Sequence, residues 1–200
     1  MPRPHDLIRL TYGYMAPPAA PEWVRQALGT TPCVVVRRAE STPAHIAVGV
    51  RGDRRADRYA MTLTAEDIAE VVAPEDLRSA TSRGIPAMRT LAGVRTALDR
   101  TSLRWGPTGS LGFELATGVP IATDDSDLDL LMRVPLLTPG ILACLADLDK
   151  LFGQQPARID CQIETCWGAV ALADLLGRQP EILTRTQTGP RLLSRAVALP

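Results

Sequence analysis

An acid-apolar-acid-apolar run, Asp127-Leu128-Asp129-Leu130, constrains this chain more than any other feature. Successive side chains of a strand point to opposite faces, so the run predicts a strand with both aspartates on one face and both leucines on the other. The two Cα atoms would stand about 6.6 Å apart, two residues at about 3.3 Å rise. If the carboxylates lean to within about 5 Å in a partly shielded cleft, they repel by roughly 3 kcal/mol at an effective dielectric of about 20. A divalent cation removes that cost. Mg²⁺ takes hard oxygen ligands and is usually held by one or two carboxylates plus substrate phosphates. An edge strand whose acids face water, with the repulsion screened, satisfies the same pattern.

The flanking segments add to the first reading. Leu103 to Thr108 reads as a short strand running into a Gly109-Ser110 turn, and Leu111, Phe113, Glu114, Leu115 and Ala116 then read as helix up to Gly118. Ser110 is the expected N-cap. A helix N-terminus reached through glycine presents unpaired N–H groups to a phosphate, although a purely structural cap needs the same residues. Asp124 and Asp125, in the loop before Asp127, either deepen the negative field or are solvated turn residues. Downstream, Ile159-Asp160-Cys161-Gln162-Ile163-Glu164 alternates as a second strand, with Asp160, Gln162 and Glu164 on one face. Arg133 shares the parity of Asp127 and Asp129, where it can meet a phosphate leaving group or pair with one of those aspartates. Arg191, in a tail that reads as a short strand over 182–185 and an exposed turn from Gly189, is a second candidate phosphate contact.

Strand, Gly-Ser turn, helix, Asp-x-Asp strand, helix, strand with one aspartate is an order that resembles the DNA polymerase β type nucleotidyltransferase superfamily. The runs GSLGFELATG, SDLDLLMR, RIDCQIET, WGAVALADLL and RTQTGPRLL are similar to the phosphoribosyl-dephospho-CoA transferase of malonate decarboxylase, also called malonate decarboxylase holo-acyl-carrier-protein synthase. The resemblance implies that triphosphoribosyl-dephospho-CoA is attacked by a serine hydroxyl of the apo acyl-carrier subunit, giving a phosphodiester-linked prosthetic group and pyrophosphate. By the same match Gly109, Ser110, Asp127 and Asp129 fall on the superfamily signature and Asp160 on its third carboxylate. Mg²⁺ (or Mn²⁺) held by Asp127, Asp129 and Asp160 is the implied cofactor. Two other readings stay open: transfer to another acceptor, such as AMP to a protein or a group to a small molecule, and an inert module that binds a carrier protein.

Composition excludes some classes. Basic and acidic residues balance at 22 each, so no overall field would hold a polyanion, and a nucleic-acid partner is not expected. No apolar run approaches 18 residues and no basic-then-apolar leader opens the chain, so the expectation is a cytoplasmic protein without a membrane partner. Cys33, Cys144, Cys161 and Cys166 form no C-x-x-C pair and read as small buried hydrophobes.

The expected fold class is α+β, with a small N-terminal α+β domain (1–82) and a nucleotidyltransferase domain (83–200) whose mixed sheet is flanked by helices. His5 to Pro21 reads as an extended arm, followed by a short helix carrying Trp23, Val24 and Leu28. Residues 33–37, 45–51 and 58–63 read as an antiparallel meander. Its last turn gathers Arg51, Arg54, Arg55 and Arg58, either a solvated loop or a docking patch for an acidic carrier. Helical stretches are expected from Thr64 and from Pro74, then after Pro86 and after Thr138-Pro139, and Trp167 is expected to open another. Trp167 would then pack on the core, or stack on an adenine.

Overall fold

The alternating runs build two sheets, seen in a computed structural model that describes residues 1–40, 42, 44–52, 54, 56–79 and 83–199. The first sheet takes β1 (Leu7–Leu10), β2 (Cys33–Val36), β3 (Ile46–Arg51), β4 (Arg58–Leu63) and β5 (Ile68–Val72), in the order β4-β3-β2-β1-β5. All of its pairings are antiparallel. The expected meander is β2 to β4, and two strands extend it. β1 forms within the segment expected to be an arm, and β5 begins where a helix was expected. Thr64 and Asp67 do make the capping box, with the Thr64 amide donating to Asp67 Oδ2 at 2.7 Å, but over a single 3-10 turn. The β-branched Ile68, Val71 and Val72 that follow favour an extended backbone, and they pair with β1. The stretch from Pro74 likewise makes one turn only, Pro74–Asp76. Helix α1 (Glu22–Thr30) buries Val24 and Leu28 against Ile8, Val34, Val36, Ile46, Val48 and Val50, which alternation places on one face of this sheet.

The second half runs α2 (Pro86–Arg100), β6 (Arg104–Pro107), α3 (Gly109–Thr117), β7 (Leu128–Arg133), α4 (Pro139–Phe152), β8 (Ile159–Thr165), β9 (Gly168–Ala171), α5 (Leu172–Leu176), β10 (Glu181–Thr186), β11 (Gly189–Ser194) and α6 (Arg195–Ala198). Its six strands lie in the order β11-β10-β9-β8-β7-β6. Only β7 and β8 pair in parallel, joined by the crossover helix α4, so the sheet is mixed and the architecture α+β. Thr138 caps α4 by accepting from the Ile141 amide at 3.2 Å. Leu128, Leu130 and Met132 of β7 and Cys161 and Ile163 of β8 face the core with Met88, Leu91, Val94, Leu145 and Leu148. Each buried Leu or Ile contributes about 1.5–3 kcal/mol.

Two expectations are corrected here. Trp167 opens no helix: it sits in the turn between β8 and β9, where the Thr165 hydroxyl donates to the Gly168 carbonyl at 2.7 Å and Gly168 takes φ 133. The stretch after Gly189, expected as an exposed turn, is a full strand in register with β10. Of the cysteines, all free, Cys33 and Cys161 are buried as expected and Cys144 partly so, but Cys166 is exposed at the β8–β9 turn. Burial pushes the Cys33 thiol up to about 11, so it is an inert packing group. Among the described residues no helix is long and apolar enough to cross a membrane.

The other face of the second sheet meets the first half of the chain. Helix α3 lays Phe113 and Ala116 on Leu7, Cys33 and Leu77. A β-carbon at Gly106 would lie 1.9 Å from the Pro74 carbonyl oxygen, so β6 touches the Pro74–Asp76 turn backbone to backbone. Arg38, just after β2, reaches both carboxylate oxygens of Glu164 on β8, one at 2.8 Å. The residues on either side of the 82/83 boundary expected from sequence include Ala80, Thr81 and Ser82, which lie outside the described residues, as do Asp53 and Arg55 of the arginine turn.

His5 stands in this seam. Burial, then the Arg38 guanidinium, lowers its pKa from 6.5 to about 4. A base whose folded pKa is depressed stabilises the fold fully above its unfolded pKa, and that contribution is lost as pH falls from 6.5 through 4. Each pH unit between those two values is worth about 1.4 kcal/mol, so on the order of 2–3 kcal/mol is lost by about pH 4.5. Urea unfolding at about pH 7.5 and about pH 4.5 is expected to show a larger drop for the wild type than for His5→Gln; equal drops would remove His5 from the pH response.

Candidate active site

Asp129 lies on β7 and Asp160 on β8, and they are register partners across the parallel pair. Adjacent strands lie about 4.8 Å apart, so the two carboxylates leave neighbouring positions on one face. Asp129 is partly buried, while Asp160 is exposed. Asp127 falls just outside the strand, which begins at Leu128. Its carboxylate, about one third exposed, is bonded to Arg158, the residue before β8. The Arg158 carbonyl also accepts from the Leu128 amide at 2.9 Å, which ties the entries of the two strands together. The acid pair that the geometry brings face to face is therefore Asp129 with Asp160, and Asp127 flanks it through Arg158.

Arg158 is the cation of this cluster. Its pKa is raised first by the hydrogen bond to Asp127, then by the charge of the same aspartate and, further off, by those of Asp160 and Asp129. A side chain so exposed can swing away from the carboxylates without unfolding anything. Arg158 opens the run RIDCQIET, yet nothing local singles it out, because its partner lies 31 residues away.

Gly109 forms the wall beside Asp129. It opens α3 at φ +61, in the left-handed region that favours glycine, and a β-carbon there would lie 1.8 Å from Asp129 Oδ2. The preceding Thr108 amide donates to the Asp129 carbonyl at 2.8 Å. Conformation and space thus demand glycine independently, and both bring the N-terminus of α3 against the Asp129 side chain.

Ser110 lies inside the first turn of α3 and is not the cap. Thr108 holds that position, without a side-chain cap bond. The Ser110 hydroxyl instead accepts from Arg51 Nη2 at 2.8 Å, across from the first sheet. Glu114, one turn on and 5% exposed, accepts from the amides of Ile121 and Ala122 and from Arg83. It folds the loop that delivers Asp127. Asp124 and Asp125 are exposed in a turn of that loop.

The two remaining arginines lie elsewhere. Arg133 shares the Asp129 face but ends at the far end of β7, where Nε donates to Glu75 Oε1 at 2.8 Å and Nη2 to Asp6 Oδ1 at 3.2 Å. Of the two readings of Arg133, a phosphate contact or a pair with Asp127 or Asp129, the described contacts match neither: it pairs with two acids of the N-terminal half. Arg191 is on β11, three strands from β8, with its guanidinium on the Thr188 hydroxyl at 2.9 Å. Gly109, Ser110, Asp127, Asp129 and Asp160 come together; Arg133 and Arg191 do not join them.

Among the described residues no three His, Cys, Asp or Glu side chains stand close enough together to hold a metal ion. The chemistry of the donor set nonetheless suits a hard divalent cation. Two adjacent carboxylates, completed by substrate oxygens, are what Mg²⁺ ordinarily uses, and a guanidinium already occupies the edge of this negative field.

Comparisons with known proteins give the family of the chain. Family models match both halves: the phosphoribosyl-dephospho-CoA transferase MdcG N-terminal domain over residues 3–74 and the C-terminal domain of the same family over residues 76–196. The phosphoribosyl-dephospho-CoA transferase of Pseudomonas aeruginosa is 42% identical over 195 residues, covering 96% of this chain and 92% of that one. Those of Pseudomonas putida and Azotobacter vinelandii are each 40% identical, again over 96% of this chain and 94% and 93% of theirs. No solved structure matches the chain. The chain belongs to the phosphoribosyl-dephospho-CoA transferase family.

Proposed function

We propose that this transferase moves the phosphoribosyl-dephospho-CoA unit from triphosphoribosyl-dephospho-CoA to a serine hydroxyl of the apo acyl-carrier subunit of malonate decarboxylase. The serine oxygen attacks the α-phosphorus, the bond to the leaving pyrophosphate breaks, and a phosphodiester remains on the carrier. The serine proton leaves to a base or to solvent. The observation that carries the reading is the Asp129–Asp160 pair set against Gly109 and Ser110. The family membership supplies the donor.

Asp129 and Asp160, completed by substrate oxygens, would hold Mg²⁺ (or Mn²⁺), which when bound would offset the charge developing on the phosphoryl oxygens, and Asp127 would join them only after Arg158 moves aside. Asp160, exposed at the start of β8, would accept the serine proton and pass it to water. Asp129 is fixed by the strand and by the glycine wall, so its carboxylate cannot retreat from the incoming phosphate. Arg158 balances Asp127 while the donor is absent. Ser110 and the first amides of α3 offer donors to the phosphoryl group. Nucleophile and leaving group both belong to the substrates, so no covalent enzyme intermediate is needed. A cytoplasmic setting and the polymerase β type superfamily belong to the same reading.

The test is a mass spectrum of an apo carrier subunit incubated with the protein, Mg²⁺ and triphosphoribosyl-dephospho-CoA. A gain equal to the phosphoribosyl-dephospho-CoA unit is expected. A nucleotide-sized gain with ATP instead would move the reading to another donor, and no adduct with either would favour a carrier-binding module.

A further inference from the structure

We propose that the inner face of the first sheet is a polyphosphate site: Arg37, just past β2, Arg51 of β3 and Arg58 of β4 receive the triphosphate end of the donor. The identity of the ligand rests on the transfer reading above, whereas the existence of the site rests on the sheet itself.

Alternation sets the face. With Val48, Val50 and Met61 turned to α1, the residues between them, Gly49, Arg51, Arg58 and Ala60, point to the other side, where α3 lies. Arg51 and Arg58 are register partners, and Gly49 pairs with Ala60. Arg37, just past β2, lies over Gly49: a β-carbon there would meet Arg37 Cδ at 3.3 Å. The two small residues thus floor a trough, and three guanidinium-bearing side chains rim it. A cavity of about 430 Å³ occupies this space, lined by those residues, His5 and Tyr59, and closed on its far side by Gly109 and Phe113.

Three features give the ligand class. Neither Arg37 nor Arg58 pairs with a carboxylate among the described residues, although the chain as a whole is charge-balanced. Arg51 reaches the Ser110 hydroxyl, so the trough opens at the N-terminus of α3. The third is charge. The carboxylate of Asp129 stands on the other side of Gly109, and an anion arriving there needs compensating cations close by, which the trough supplies. An extended, multiply charged ester of phosphate matches a row of guanidinia beside a transfer site. A folded acidic carrier does not, because Arg51 lies in the seam between sheet and helix and not on a protruding surface. A neighbouring cavity of about 580 Å³ shares Val50, Arg51 and Phe113 with the trough, leaving room for the rest of a long donor.

The experiment is calorimetric titration of the full chain with inorganic tripolyphosphate, without added metal. Arg37→Gln and Arg58→Gln are each expected to weaken binding about tenfold, the loss of one charge-assisted contact. Ala60→Glu, which places a carboxylate on the floor, is expected to abolish it. Arg178→Gln, at an exposed arginine after α5, is expected to change nothing. Equal affinities in all variants, or no binding to the wild type, would overturn the site even if carrier modification proceeds. Loss of apo-carrier binding in the arginine variants with tripolyphosphate affinity intact would overturn it in favour of protein docking. Trough-dependent binding without any transfer activity would support the site and count against the transfer reading alone.

Discussion

Replacing Asp129 by asparagine is expected to lower prosthetic-group transfer by about a thousandfold or more while leaving the fold intact. Electrostatic support of a phosphoryl transfer by a carboxylate-held cation is worth several kcal/mol, and each ~1.36 kcal/mol is tenfold in rate. Asparagine keeps the shape that Gly109 is packed against, where a β-carbon would have only 1.8 Å, so loss of activity would report charge and not misfit. Asp160→Asn should follow the same direction, since the two are register partners. Asp127→Asn is expected to cost less, because its carboxylate is partly neutralised by Arg158 in the free protein. The rate is read from the carrier mass shift over time, and the fold from far-UV circular dichroism and the urea midpoint. Wild-type rates in Asp129→Asn would sink the assignment of the site.

The strands that carry Asp129 and Asp160 were legible because their alternation is strict. Leu128 to Leu130 and Ile159 to Glu164 give period two in adjacent parallel strands with Asp129 and Asp160 on one side, whereas Asp127, expected in the same strand, falls just before it. The capped helix at Thr138 was equally plain, since cap, proline and helical spacing agree. What the sequence hid is whatever depends on pairs far apart along the chain. Leu7–Leu10 is too short for periodicity to distinguish from an arm, and becomes a strand only because β2 and β5 flank it. Ser110 looked like a cap because the left-handed turn at Gly109 cannot be read from residue identity. The arginines of the meander looked like a solvated turn, since nothing local says which face of the sheet α3 will cover. The alternation that sorts Arg51 and Arg58 from Val50 and Met61 was there to be read, but its meaning required the position of α3.

Arg133→Met is expected to destabilise the fold by about 3–5 kcal/mol, the cost of leaving buried acids without their cation. Arg133, 10% exposed, joins Asp6, 4% exposed, and Glu75, 10% exposed, at the contact of the two sheets. Burial raises the Asp6 carboxyl above its ordinary pKa despite the Arg3 amide and Arg133. Burial alone would also raise Glu75, but its own backbone amide and Arg133 hold it below its usual value. Removing the guanidinium lets desolvation dominate both, so both carboxyls move upward. A carboxyl whose folded pKa exceeds its unfolded one favours the fold more as pH falls, so the gap between variant and wild type should narrow between about pH 7 and about pH 4.5. Urea unfolding at the two pH values measures it. Arg104→Met, which removes a 64% exposed partner of the same Glu75, should cost no more than about 1 kcal/mol. The pair also decides what Arg133 does. A phosphate contact would raise the KM for the donor with stability unchanged. A clamp between the halves would lower stability while the folded fraction keeps its KM, because the Asp129–Asp160 pair is built from backbone register that Arg133 does not set.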